Sequence, residues 1–342
     1  MSIIELIVAL AAILGAAALF TNAVEIMGER LNLGHGAVGS LLAAVGTALP
    51  ETMIPIVAIL GAVIVGTGAA AAGEIGVGAI LGAPFLLATL AFFLVGLSAI
   101  VYKGRRKSGD EVIANREVTI PDLAFFLVCY TLAAGAGVVR LPLILKVILA
   151  ILLLLAYVYY VIRTIRKGGS AEEEEGEAPE NLTLWPFSSF APTWAVATQL
   201  VGTVVVMGFG AHFFVDAVGH MSLAVGIPAG LISLVLAPLA TELPEKFNSI
   251  IWMRDNKDTL ALGNITGAMV FQSTIPVSIG MLFTPWELGF LSALSAVFAL
   301  SSGVVFIGFL LRRRPLRGFV MLGAGSLYVV FLAAALVAVV SA

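Results

Sequence analysis

Long apolar runs broken by short charged stretches dominate this chain. Ten can be marked, at roughly residues 4–24, 36–66, 76–101, 119–138, 141–162, 190–215, 224–253, 259–283, 287–311 and 318–341. A helix needs about 20 apolar residues to cross the ~30 Å hydrocarbon layer of a bilayer. A lone strand at that depth would leave its backbone unpaired, so each run predicts a membrane-spanning helix. Charge supports this: 11% of the 342 residues are charged and 60% are hydrophobic, against about 25% charged in soluble domains. The lipid bilayer is therefore the expected surrounding for most of the chain. The apolar stretch Leu6–Val24 reads as the first helix rather than a signal peptide, because Glu5 stands where a signal would be basic.

Basic residues give the orientation. They cluster at Lys103, Arg105, Arg106, Lys107 and Arg116, at Arg163, Arg166 and Lys167, at Arg254 and Lys257, and at Arg312, Arg313, Arg314 and Arg317. These groups follow runs three, five, seven and nine, and Arg30 follows run one. By the positive-inside rule those loops are cytoplasmic and both termini extracytoplasmic, as in a multi-pass cell-membrane protein. The loop from about Arg163 to Trp185, with its acidic stretch Glu172–Glu175, reads as a solvated linker. No basic stripe or stacking motif suggests nucleic acid. The single cysteine, Cys129, excludes an intrachain disulfide and a cysteine metal site.

An internal repeat organises the runs. GHGAVGSLLAAVGTALPET (Gly34–Thr52) aligns without a gap within IPAGLISLVLAPLATELPEK (Ile227–Lys246), 194 residues on, Gly34 falling on Pro228, since 241 minus 47 is 194. Thr47 falls on Thr241, Leu49 on Leu243, Pro50 on Pro244 and Glu51 on Glu245; upstream, Ala23 falls on Ala217 and Gly36 on Gly230. The copies lie five runs apart, so they cross in opposite directions. The expected fold is an all-α membrane protein of ten transmembrane helices in two inverted five-helix repeats, a common transporter plan. The expected boundaries are 1–165 for the first repeat, 166–188 for the cytoplasmic acidic linker and 189–342 for the second repeat. The second run would be roughly 46 Å long as one straight helix, which exceeds the bilayer, and a break near Pro50 relieves this.

The chemistry falls on the repeated motif. Glu51 is the only charged side chain between Arg30 and Glu74. A carboxylate at the membrane centre costs about 2.5–3.5 kcal/mol on insertion scales, so such a residue usually faces a cavity and works there. Glu245 is its repeat mate. Thr47 precedes Glu51 by four residues and Thr241 precedes Glu245 by four, placing each pair on one helical face. Glu242 stands open between the site and its vestibule. Two carboxylates, two hydroxyls and loosened carbonyls make an all-oxygen site suited to a hard cation such as Ca2+, and without nitrogen or sulfur ligands it does not suit zinc or copper. His35, His212 and His220 are read as interfacial side chains near helix ends. No buried His–Ser or Asp–Asp pair supports an intramembrane hydrolase. A transporter is the expected class, with a channel or a non-transporting cation sensor as the alternative.

At these residues the chain resembles the calcium/cation antiporter superfamily, and most closely its sodium/calcium exchanger branch. Gly46–Glu51 (GTALPE) is similar to that family's first signature and Ala240–Glu245 (ATELPE) to its second. Gly78–Ala83 and Gly263–Ala268 resemble its glycine-asparagine segment. The resemblance implies that Glu51, Glu245, Thr47 and Thr241 bind Ca2+, with backbone help from Ala44 and Pro238. It also implies a monovalent counter-ion, Na+ or H+, and no bound cofactor. The serines expected after the threonines are Ala48 and Glu242, those of the third and eighth helices are Ala83 and Ala268, and the polar positions four residues later are Leu87 and Gln272. These losses bear on sodium. Glu242 is a candidate replacement for the carboxylate missing at Gln272. Oligomeric state is left open.

Overall fold

The computed structural model describes residues 2–30, 51–62, 69–166, 181–185 and 191–341. In chain order the helices are α1 (Ser2–Arg30), α2 (Glu51–Ala62) and α3 (Ala69–Leu86), which passes through a π-helical turn at Leu87–Ala91 into α4 (Phe92–Val101). Strand β1 (Glu111–Val112), α5 (Arg116–Val139), α6 (Leu143–Arg166), α7 (Thr193–Val225), α8 (Ala229–Thr241) and α9 (Leu243–Arg254) follow. Then come α10 (Asp258–Gln272), α11 (Ile275–Phe283), α12 (Phe290–Leu311), strand β2 (Leu316–Arg317) and α13 (Gly318–Val340). Among the described residues, 8 stretches are long and apolar enough to cross a membrane, and α2 and α8 are shorter apolar helices. Outer faces are greasy: α6 exposes Leu143, Ile144, Leu152 and Leu155. The protein is an all-helical membrane protein.

Several expected runs need correction: 4–24 continues to Arg30, and 259–283 is two helices, α10 and α11. The run 190–215 continues to Val225, because nothing breaks it at 215 whereas Gly226, at φ +71°, and Pro228 do. Its 33 residues span about 50 Å at 1.5 Å each. His212 and His220 therefore lie within a helix that outruns the hydrocarbon, and His212 Nε2 sits 3.4 Å from Asp216 Oδ2. The run 224–253 is two helices, α8 and α9, interrupted at Glu242. Pro244 supplies no N–H to the carbonyl four residues earlier, that of Ala240.

Packing divides the chain into two compact units. One comprises residues 1–76 and 159–229, the other 77–158 and 230–342. Each draws on both halves of the sequence.

In the first unit α1 and α7 run antiparallel. Near one end Arg30 donates to Thr193 Oγ1 (3.4 Å) and to the Ala191 carbonyl. Further along, Ala16, Phe20 and Val24 pack with Met207, and a Cβ on Gly210 would stand 2.8 Å from Ile13. In the 194-residue alignment position 13 falls on 207 and 16 on 210, so the Ile13–Gly210 and Ala16–Met207 packings are mates. A polar clamp holds residues 181–185 to the pair. Gln199 Nε2 donates to the Leu19 carbonyl (2.8 Å) and to Asn22 Oδ1 (3.2 Å), while the backbone N–H groups of Thr183 and Leu184 donate to Asn22 and Gln199. The helix α2 joins this unit: Met53 lies against Gly208 and Ile59 against Gly76.

In the second unit, close glycine contacts set helix spacing. A Cβ on Gly78 would stand 2.1 Å from the Gly230 carbonyl oxygen, and one on Gly82 would stand 2.1 Å from that of Leu234. These bring α3 backbone-to-backbone with α8, as small residues do in membranes. Gly96 and Gly318 do the same for α4 and α13. The loops of this unit meet at its two ends. At one end β1 pairs antiparallel with β2, Glu111 opposite Arg317 and Val112 opposite Leu316. There Arg106 forms two hydrogen bonds to Asp258, at 2.8 and 2.7 Å, and both side chains are buried. The basic loops around residues 103–116, 254–257 and 312–317 thus share one end. At the other end Lys146 Nζ donates to the Pro285 carbonyl (2.5 Å) and the Leu288 N–H to Gly137 (3.2 Å). Trp286 is fully buried nearby and donates to the Ala133 carbonyl at 2.9 Å.

Candidate cation site

The second copy of the repeated motif builds a buried polar cluster around the interruption between α8 and α9. Glu242 occupies the interruption and is 0% exposed. Its N–H donates to the Pro238 carbonyl (2.9 Å), and its own carbonyl accepts from the Lys246 N–H (3.2 Å). The backbone therefore stays hydrogen-bonded through the break, and the Pro238 carbonyl keeps one lone pair beyond the bond it accepts. Pro238 has no N–H to offer Leu234, whose carbonyl instead lies against Gly82 of α3.

Three elements position the side chains. From α10, Gln272 Nε2 donates to Glu242 Oε1 at 3.2 Å. From α9, Lys246 Nζ lies 3.8 Å from Glu242 Oε2 and donates to Asn264 Oδ1 of α10 at 3.0 Å. From α8, the Thr241 hydroxyl donates to the Ala237 carbonyl at 3.0 Å, leaving its oxygen lone pairs available. The expected sites Glu242, Gln272, Thr241 and Pro238 thus fall together in one compact unit. A further buried carboxylate stands on the other side of α10: Asp122 Oδ2 of α5 accepts from Thr266 Oγ1 at 2.6 Å.

Helix distortions occur at matching places in the two repeats. The glycine-asparagine segments align at a spacing of 185, since 263 minus 78 is 185. Leu87 opens the π-helical turn after α3, and its mate Gln272 is the last residue of α10, followed by a turn at Ser273–Thr274 before α11. Such irregularities recur at functional positions, because they aim side chains and carbonyls that a regular helix would keep in its ladder.

Glu51 opens α2 in the first unit, half-buried, with Thr52 beside it buried. Thr47 and Ala44 lie outside the described residues, as does the Glu245 side chain, although Glu245 itself belongs to the first turn of α9. Among the described residues no three His, Cys, Asp or Glu side chains converge. The donors in view there are a carboxylate, two amide side chains, a hydroxyl and backbone carbonyls, a set that suits a hard cation.

The structure adds Lys246, Asn264 and Asp122 to the residues expected at the site. Signals for two of them were present. Lys246 follows Glu242 by four residues, the spacing of a helical ion pair. Asp122 lies in an apolar run, where a carboxylate marks a site by default. Nothing local pointed to Asn264 as the acceptor for a lysine.

The chain matches the family model described as sodium/calcium exchanger protein over residues 1–166 and 195–339. It is 26% identical over 263 residues to an uncharacterized membrane protein of Methanocaldococcus jannaschii, covering 76% of this chain and 74% of that one. Its fold is similar to that of the H+/Ca2+ exchanger CAX, with TM-score 0.69, 17% identity, and 97% of this chain and 81% of the other covered. It is also similar to that of the sodium-calcium exchanger NCX_Mj, with TM-score 0.58, 19% identity and coverage of 97% and 99%.

Proposed function

Because the chain belongs to the sodium/calcium exchanger protein family, we propose that it is a secondary-active antiporter exchanging Ca2+ for Na+ or H+ by alternating access. The observation that carries this reading is Glu242: a fully buried carboxylate at a helix interruption, inside one copy of a repeated motif. Water does not solvate such a group, so a cation or a hydrogen-bond donor must compensate it.

In this reading Glu51 and Glu245, one from each inverted repeat, supply the principal carboxylates. Thr47, Thr241, Glu242 and Gln272 add oxygens, and the backbone near Ala44 and Pro238 completes the shell. The cation and its counter-ion compete for the same carboxylates, so each displaces the other, and this competition couples the two fluxes. The antiparallel pair α1 and α7, packed on each other along much of their length, is read as the bundle that slides or rocks. Ten crossings, with the one formed by α8 and α9 interrupted and both termini extracytoplasmic, complete the arrangement.

The test is 45Ca uptake into proteoliposomes under imposed Na+, H+ or K+ gradients. An exchanger takes up Ca2+ only against a counter-ion, and the gradient that drives uptake names it. Uptake without any counter-ion would mark a channel instead. Glu51→Gln and Glu245→Gln should each abolish flux, and near-normal flux in both variants would refute the site.

A further inference from the structure

The exchange reading leaves Lys246 without a role, yet its ammonium stands inside the cluster. It is 1% exposed, lies 3.8 Å from Glu242 Oε2 and donates to Asn264 Oδ1 at 3.0 Å. Its reach is set by local geometry, because Lys246 follows Glu242 by four residues and the two are joined by a backbone hydrogen bond of 3.2 Å. Packing alone does not call for an ammonium here: methionine or leucine would fill the same space without removing a charge from water. A lysine also carries only one charge and cannot coordinate a metal while protonated.

A divalent cation bound by Glu242 would sit about 2.3–2.6 Å from a carboxylate oxygen. The ammonium beside that carboxylate would then be within a few ångströms of a like charge in a poorly screened interior, where repulsion is strong. The two cations exclude each other.

We propose that Lys246 is a tethered cation: its ammonium holds the Glu242 carboxylate when the transported ion is absent, and the transported divalent cation must displace it. Asn264 Oδ1 supplies the acceptor that retains the ammonium once Glu242 is taken. The site then keeps one compensated carboxylate when the divalent cation has left, so the return step, which still carries the counter-ion, needs one positive charge fewer from it. This rests on the exchange reading and adds a competitor to the same site.

The experiment measures equilibrium 45Ca binding to purified protein, together with proteoliposome flux, for the wild type, Lys246→Met and Lys246→Arg. Lys246→Met should bind Ca2+ about tenfold or more tightly, since it removes a competing like charge. It should also make flux depend more steeply on the counter-ion, while Lys246→Arg should stay near the wild type. A lysine that merely supports the fold would not raise affinity when removed. Unchanged Ca2+ affinity in a folded Lys246→Met, with the wild type transporting, would overturn the proposal; a wild type that neither binds nor moves Ca2+ would instead overturn the exchange reading. Should Lys246→Met fail to fold, acetylation of Lys246 in the wild type by acetic anhydride, followed by mass spectrometry, decides the matter. Labelling should rise with Ca2+ concentration, and labelling indifferent to Ca2+ during active transport would overturn the proposal.

Discussion

Replacing Gly82 by alanine should pry α3 from α8 and disturb the cluster beyond. The new Cβ would stand 2.1 Å from the Leu234 carbonyl oxygen, 2.7 Å from Pro238 Cγ and 2.9 Å from the Leu234 carbonyl carbon. An ordinary carbon–oxygen contact is about 3.3 Å, so the helices must part by about 1 Å. Two of the three obstacles are backbone atoms, which no rotamer change can move. Overpacking of this kind costs about 1–3 kcal/mol, and a rigid obstacle puts Gly82 at the upper end. Alanine recovers about 1 kcal/mol of helix propensity, so the net loss should be about 2 kcal/mol. Gly323 of α13 provides the control, because it is exposed and a Cβ there meets nothing within 4 Å. Gly323→Ala should be neutral or slightly stabilising. Thermal unfolding in detergent, followed by tryptophan fluorescence, should show Gly82→Ala melting several degrees below Gly323→Ala. Since α8 carries Thr241 and leads directly into Glu242, Ca2+ flux should fall as well. Equal melting of the two variants would refute the argument that a backbone-to-backbone seam sets the helix spacing.

Two further perturbations probe other joints. Arg106→Ala leaves Asp258 buried without its guanidinium and should cost about 3–5 kcal/mol; the double variant Arg106→Met, Asp258→Leu should recover most of that melting loss, and failure to recover would show that the pair does more than neutralise itself. Gln199→Leu removes the donor to Leu19 and the acceptor for Leu184 and should cost about 1–3 kcal/mol. Limited proteolysis should then cut within 181–185 faster than in the wild type, and an unchanged cutting rate would contradict the clamp.

Much of this architecture was legible in the amino-acid order because lipid imposes a simple rule. The runs at 119–138, 141–162 and 318–341 meet helices at Arg116–Val139, Leu143–Arg166 and Gly318–Val340 within a few residues. Errors arose where hydropathy has no voice. His212 and His220 suggest an end for α7, but polarity does not stop a helix whose backbone can continue; Gly226 and Pro228 do. The break at Glu242 falls in a run that hydropathy alone reads as one span; Pro238 and Pro244 both lie in it, and only the fold decides which proline interrupts the helix. The cluster was half visible. The motif pointed to Thr241, Glu242 and Gln272, whereas Lys246 shows in the sequence only its four-residue spacing from Glu242, which does not say that it is buried. Its burial depends on Asn264, 18 residues away on α10, and a contact at that distance leaves no local trace.

The seam between Gly96 and Gly318 carries a consequence for biogenesis. As the nascent chain threads into the bilayer, α4 emerges early with a bare strip of backbone along one side, and the element that covers this strip is α13. Until then the exposed strip must be shielded by lipid or by the insertion machinery. A premature stop codon just before residue 318 should therefore trap an orphaned α4 that quality-control proteases recognise.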